Sequence, residues 1–97
     1  MAAYLIANIT VNDPKGFGEY RDQVAPMIAA FGGRFLVRGG AVTDVEGSLG
    51  LARLVVLEFP DMAKLRGFYD SAEYAPLIAL RQSCTTGDVA LVEGYEG

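Results

Sequence analysis

From Tyr4 to Val11, β-branched, aromatic and aliphatic residues run without interruption until Asn12 and Asp13, a pattern that predicts a first strand. Asp13 followed by Pro14 predicts an N-cap and a first helical position, because the Asp oxygen accepts an orphan amide while Pro lacks one. Phe17, Tyr20, Val24, Ile28 and Phe31 then recur at spacings of three and four, the face of a helix that ends at Gly32-Gly33. Gly16, Gly18 and Pro26 weaken that helix. Pro26 cannot donate to the Asp22 carbonyl, so a kink or local break is expected there.

Arg34 to Arg38 predicts a short second strand ended by Gly39-Gly40, and Ala41 to Glu46 an extended arm before a loop at Gly47 to Gly50. Arg53 to Phe59 is a third strand, apolar on consecutive residues, so both of its faces are covered. Pro60 stops it, and Asp61 caps a helix carrying Met62, Leu65, Phe68 and Tyr69. After a break at Asp70-Ser71 a further helix runs from Ala72 to Cys84, with Pro76 in its first turn. Thr85-Thr86-Gly87 turns into a last strand, Asp88 to Tyr95.

The resulting order is β-α-β-β-α-β, with the second helix broken in two. It predicts an α+β, ferredoxin-like subunit with a four-stranded antiparallel sheet and helices on one face only. Strand one turns Leu5, Ala7, Ile9 and Val11 toward the helices and Tyr4, Ile6, Asn8 and Thr10 away. Strand three turns Val55, Leu57 and Phe59 one way and Leu54, Val56 and Glu58 the other. The second set is too apolar for a solvated surface. Two such faces packed together would close a shared barrel, so the expected assembly is a homodimer through the sheet face, a dimeric α/β barrel.

Composition narrows the function more than the fold. Ninety-seven residues are one domain's worth of chain, so residues 1–97 are expected to form a single domain. Eight Lys and Arg against twelve Asp and Glu give a net charge of −4, which argues against nucleic acid or an acidic membrane as partner. No run approaches the length of a membrane span, and the first residues have no signal-peptide pattern. One Cys and no His disfavour a disulfide scaffold, a zinc site and a His-ligated haem. The expectations are a reducing, cytoplasmic compartment, no metal and no cofactor.

Four stretches, YLIANITVNDPKGFGEY at 4–20, FGGRFLVRGG at 31–40, RLVVLEFPD at 53–61 and FYDSAEYAPLIALR at 68–81, give the chain a family resemblance. It resembles the small bacterial family known as domain of unknown function thirteen-thirty, within the dimeric α/β-barrel superfamily. The resemblance implies a ferredoxin-like subunit and a barrel-forming homodimer, but no established reaction. Superfamily relatives include cofactor-independent quinone-forming monooxygenases, muconolactone isomerases, chlorite dismutases and haem-degrading enzymes; the haem-using ones depend on a His that is missing here.

The candidate catalytic residues are Asn8, Arg38 and Glu58. Alternation puts Asn8 and Glu58 on the bare face among apolar neighbours, and Arg38 ends an adjacent strand. If they converge, they form a polar floor in an apolar pocket, with Glu58 as general base or fixed charge. The structural alternative is an Arg38–Glu58 ion pair with Asn8 satisfying backbone groups. Tyr20, Tyr69 and Tyr74 are candidate ligand-binding hydroxyls, or else core aromatics. Arg81, near the end of the last helix, is positioned either to reach an acidic ligand at the barrel mouth or, the preferred reading, to stand as a solvated cation at a helix end. Cys84 lacks a His to activate it and reads as a small buried thiol. Three functional readings fit: an enzyme of monooxygenase or isomerase type acting on a small molecule, a non-catalytic metabolite-binding module, and a purely structural dimer.

Overall fold

A computed structural model describes residues 1–95, so the last two positions of the expected 1–97 domain lie outside the described residues. In chain order the elements are β1 (Ala3–Val11), α1 (Pro14–Ala30), β2 (Arg34–Arg38), β3 (Arg53–Phe59), α2 (Met62–Tyr69), α3 (Ala75–Cys84) and β4 (Thr85–Glu93). The strands form one antiparallel sheet in the order β2-β3-β1-β4. This is the split β-α-β arrangement read from the sequence, with its second helix in two pieces. Among the described residues no helix is long and apolar enough to cross a membrane.

Several local expectations need correction. The Asp13 side chain does not cap α1; its carboxylate lies instead over Gly16, where an added Cβ would stand 2.8 Å from Oδ2. α1 runs through Pro26 as one helix. Pro26 is exposed, so the Asp22 carbonyl that loses its partner has access to water. α3 starts at Ala75 rather than Ala72, because the Ser71 hydroxyl donates to the Phe68 carbonyl and accepts from the Tyr74 amide, holding a turn. β4 starts at Thr85, three residues early, because Thr85, Thr86 and Gly87 pair with Val11, Thr10 and Ile9. The segment Ala41 to Glu46, expected as an extended arm, has no strand partner and is exposed.

One sheet face packs on the helices. Ala3, Leu5, Ala7, Ile9, Leu57 and Phe59 meet Phe17, Val24, Ile28, Leu65, Phe68 and Leu77 in the core. Leu65 and Phe68 are fully buried. Phe68 stacks between Phe59, at 5.4 Å, and Tyr74, at 4.3 Å between ring centroids. That stack fixes where the Tyr74 hydroxyl points. The other face carries Ile6, Leu36 and Val92 exposed beside Val37, Leu54 and Val56, and among the described residues no helix or strand covers it.

Candidate functional site

Between the helix-facing side of the sheet and α1 and α3 lies a cavity of about 50 Å³. Leu5, Ala7, Ile9, Val55 and Leu57 of the sheet and Phe17, Val24 and Ile28 of α1 form its apolar walls. Its polar lining is Tyr20, Tyr74, Arg21, Arg38, Arg53 and Arg81.

Arg81 reaches the cavity because α3 presents Leu77, Arg81 and Cys84 at spacings of four and three, all on its buried side. It is 6 % exposed, against the expectation of a solvated helix-end cation. Its Nη1 donates to the Tyr74 hydroxyl at 3.2 Å, and that hydroxyl lies 2.7 Å from the Tyr20 hydroxyl. Proton counting shows what this chain of three offers. Arg81 occupies one lone pair of the Tyr74 oxygen, and a single proton serves the bond between the two phenols. One O–H of the pair is therefore left without a partner among the described residues, in a cavity that both residues line.

Burial raises the pKa of the Tyr74 phenol well above its ordinary value, and the Tyr20 phenol adds to the rise. Tyr20 is raised too, by burial, against the lowering effect of its bond to Tyr74. Both are neutral donors at ordinary pH. For Arg81, burial works against the charge, but the phenol oxygens of Tyr74, Tyr69 and Tyr20 outweigh it and the pKa lies above its usual value.

Arg38 enters the cavity lining through a β-bulge. Arg34 faces Glu58 and Phe35 faces Leu57, but Val37 pairs with Val56 and Arg38 with Val55, so Leu36 is the extra residue. Unbulged alternation would keep Arg38 on the face of Arg34. The shift sends it to the helix side, where its guanidinium lies 4.4 Å from the Phe35 ring centroid.

Asn8 and Glu58 stay on the other face, so the three candidates Asn8, Arg38 and Glu58 do not converge within the chain. Glu58 is ion-paired with Arg34, at 2.7 Å to Nη2 and 2.8 Å to Nε, and accepts from the Tyr4 hydroxyl at 3.2 Å. This corrects the expected Arg38–Glu58 pair; Arg38 is four residues beyond Arg34 on the strand, too far to share the carboxylate. The Asn8 amide clasps the β2–β3 loop, donating to the Gly50 carbonyl at 3.1 Å and accepting from the Ala52 amide at 2.9 Å. Tyr69 packs edge-on against Tyr74 and lines a more open neighbouring cleft with Arg81, Gln82 and Thr85 to Val89.

Sequence reasoning missed Arg53, and it ranked Arg81 as a solvated cation above its other reading, a contact to an acidic ligand. The signal for Arg53 was its place opposite Ile9 on the helix side of β3, and for Arg81 the spacing Tyr74, Leu77, Arg81. Among the described residues no three His, Cys, Asp or Glu side chains gather as metal ligands. Cys84 is buried, and burial, then the Asp13 carboxylate, push its thiol pKa up.

A family model described as "Domain of unknown function (DUF1330)" matches residues 2–95. No curated protein matches the chain in sequence. Among solved structures, a protein of unknown function from Rhodopseudomonas palustris superposes with a TM-score of 0.76 at 12% identity, covering 99% of this chain and 84% of its own. SnoaB, a cofactor-independent oxygenase from Streptomyces nogalater, gives 0.62 at 14% identity over 99% and 95% of the two chains. A Mycobacterium tuberculosis protein gives 0.57 at 17% identity over 100% and 98%. At such identities the likeness is one of fold.

Proposed function

The chain belongs to the DUF1330 family, and from that premise and the cavity's lining we propose that it binds and transforms a small oxygenated molecule between its sheet and helices. The observation that carries this reading is the spare phenol O–H of the Tyr20–Tyr74 pair, backed by buried Arg81, in a cavity whose walls are mostly apolar. Buried donors of this kind stabilise negative charge developing on a carbonyl or phenol oxygen. Among the described residues the cavity lining contains no carboxylate and no His, so no conventional base faces the substrate. The chemistry that fits is enolate or phenolate stabilisation for a substrate that ionises readily, as in isomerisation or cofactor-free oxygenation. SnoaB, a cofactor-independent oxygenase of similar fold, supports that class by analogy alone.

In this reading residues 1–97 form a single cytoplasmic domain, and two copies associate through the bare sheet face. The exposed Ile6, Leu36 and Val92 support the association, and the lone buried Cys84 suits a reducing compartment. Tyr20 and Tyr74 are the ligand-binding hydroxyls, and Arg38 contributes charge at the cavity's exposed side. Asn8 and Glu58 act at the sheet face instead, Asn8 holding its loop and Glu58 its pair with Arg34.

Titration with a cyclic 1,3-diketone, followed through the enolate absorption band, tests the reading. Binding should lower the diketone's apparent pKa, and Arg81→Met or Tyr74→Phe should abolish the shift in a dimer that remains folded. An enolate band unaffected by wild-type protein would refute it.

A further inference from the structure

Resting on that ligand-cavity reading, we propose that the cavity selects an anion, a compact carboxylate on an apolar body, and that Arg53 binds its charge. The first observation is the distribution of charge. The chain is acidic overall, yet four of its six arginines, Arg21, Arg38, Arg53 and Arg81, line this one cavity. None of the Asp and Glu side chains among the described residues lines it with them. The other two arginines have carboxylate partners, Arg34 with Glu58 at 2.7 Å and Arg66 with Asp70 at 3.0 Å. Guanidinium groups gathered beside apolar walls repel one another, and an anion among them reverses the sign of that interaction.

The second observation is local to Arg53. Its Nε is buried and has no hydrogen-bond partner among the described residues. A buried charged donor left in that state is costly unless some acceptor completes it. Yet the guanidinium is held firmly by contacts that do not use its N–H groups. The Phe17 ring centroid lies 5.2 Å from Cζ. Gly39, at φ 71°, crowds the group so closely that a Cβ there would stand 2.5 Å from Nη1 and 2.6 Å from Cζ. Nε is enclosed, so the guanidinium can offer a ligand only its terminal Nη1 and Nη2, and that planar pair fits a carboxylate, which accepts two parallel N–H bonds in one plane. The apolar walls and small volume call for an aryl or short branched body behind that carboxylate, and they disfavour a strongly hydrated phosphate.

Calorimetric titration of the whole protein with benzoate, benzamide and inorganic phosphate tests the inference without any variant. Benzoate should bind, and benzamide, its neutral isostere, at least about tenfold more weakly, the ratio that one charge-assisted hydrogen bond supplies. Arg53→Met should remove that preference, Arg53→Lys should restore part of it, and Arg66→Met, a surface control, should do nothing. Circular dichroism checks that each variant is folded. Equal affinities for benzoate and benzamide, or phosphate binding tighter than benzoate, would overturn the carboxylate assignment and leave the cavity reading standing. Absence of benzoate binding also overturns it, and takes the cavity reading with it only if the diketone fails to bind as well.

Discussion

Tyr20 and Tyr74 lie 54 residues apart in the chain, on α1 and just before α3, and their hydroxyl oxygens meet at 2.7 Å inside the protein. The two are not equivalent, because Arg81 donates to Tyr74. Tyr74→Phe leaves a buried guanidinium without that acceptor and should cost about 1–3 kcal/mol, whereas Tyr20→Phe removes one phenol from a partner that keeps Arg81 and should cost about 0.5–1.5 kcal/mol. Chemical denaturation of both variants checks the order. The raised phenols also fix a pH dependence. Below pH 10.0, the ordinary phenol value, both folded and unfolded chains hold these protons and the contribution is constant. Above it the unfolded chain loses them first, so stability falls as pH rises. Phenolate absorbance should therefore lag for these two tyrosines and then rise together with unfolding.

How far this site was legible in the sequence differs from residue to residue. The strand and helix order followed from periodicity, as the match between Arg53 to Phe59 and β3 illustrates. Tyr20 and Tyr74 were readable as aromatics with polar tips, but their pairing required the tertiary fold. Arg38 was placed only at the end of its strand, and the face it takes is set by the bulge at Leu36, which no composition rule announces. Arg81 was hidden by a sound local argument, since a cation in the last helical turn is favourable in water. The tertiary environment, with phenols on the buried side of α3, outweighed it.

Pro26 should be a site where stability can be gained. α1 continues past it without the amide that would bond to the Asp22 carbonyl, and the position is exposed, so an Ala side chain meets no obstacle there. Pro26→Ala should stabilise the protein by about 1–2 kcal/mol, the helical gain reduced by the unfolded chain's added freedom. A melting temperature lower than wild type would mean that the proline ring packs in a way that the helix depends on.

The bare sheet face makes a prediction about assembly. Ile6 and Val56 pair across β1 and β3, with Ala90 beside Ile6 on β4, and among the described residues no helix covers them. A dimer closed over this face should bury more than about 2,000 Å² in total. Val56→Asp should then dissociate and unfold the protein together, because folding and association would share one core. Analytical ultracentrifugation decides, and a folded wild-type monomer at micromolar concentration contradicts the dimer.

Cys84 gives a probe of how firmly α3 is held. Its side chain is 1 % exposed, its Sγ donates to the Arg81 carbonyl at 3.5 Å, and burial followed by the Asp13 carboxylate raises its pKa above 9.0. The thiolate, the form that reacts, is thus both scarce and enclosed. A disulfide reagent at neutral pH should modify it only as the structure opens, at a rate that falls when the cavity is occupied, because Arg81 both lines the cavity and supplies the carbonyl that receives the thiol. Labelling at the rate of a free thiol in the native protein would show that the end of α3 opens independently of the core, and the order at Tyr74 and Arg81 would then have to come from α1 and the sheet alone.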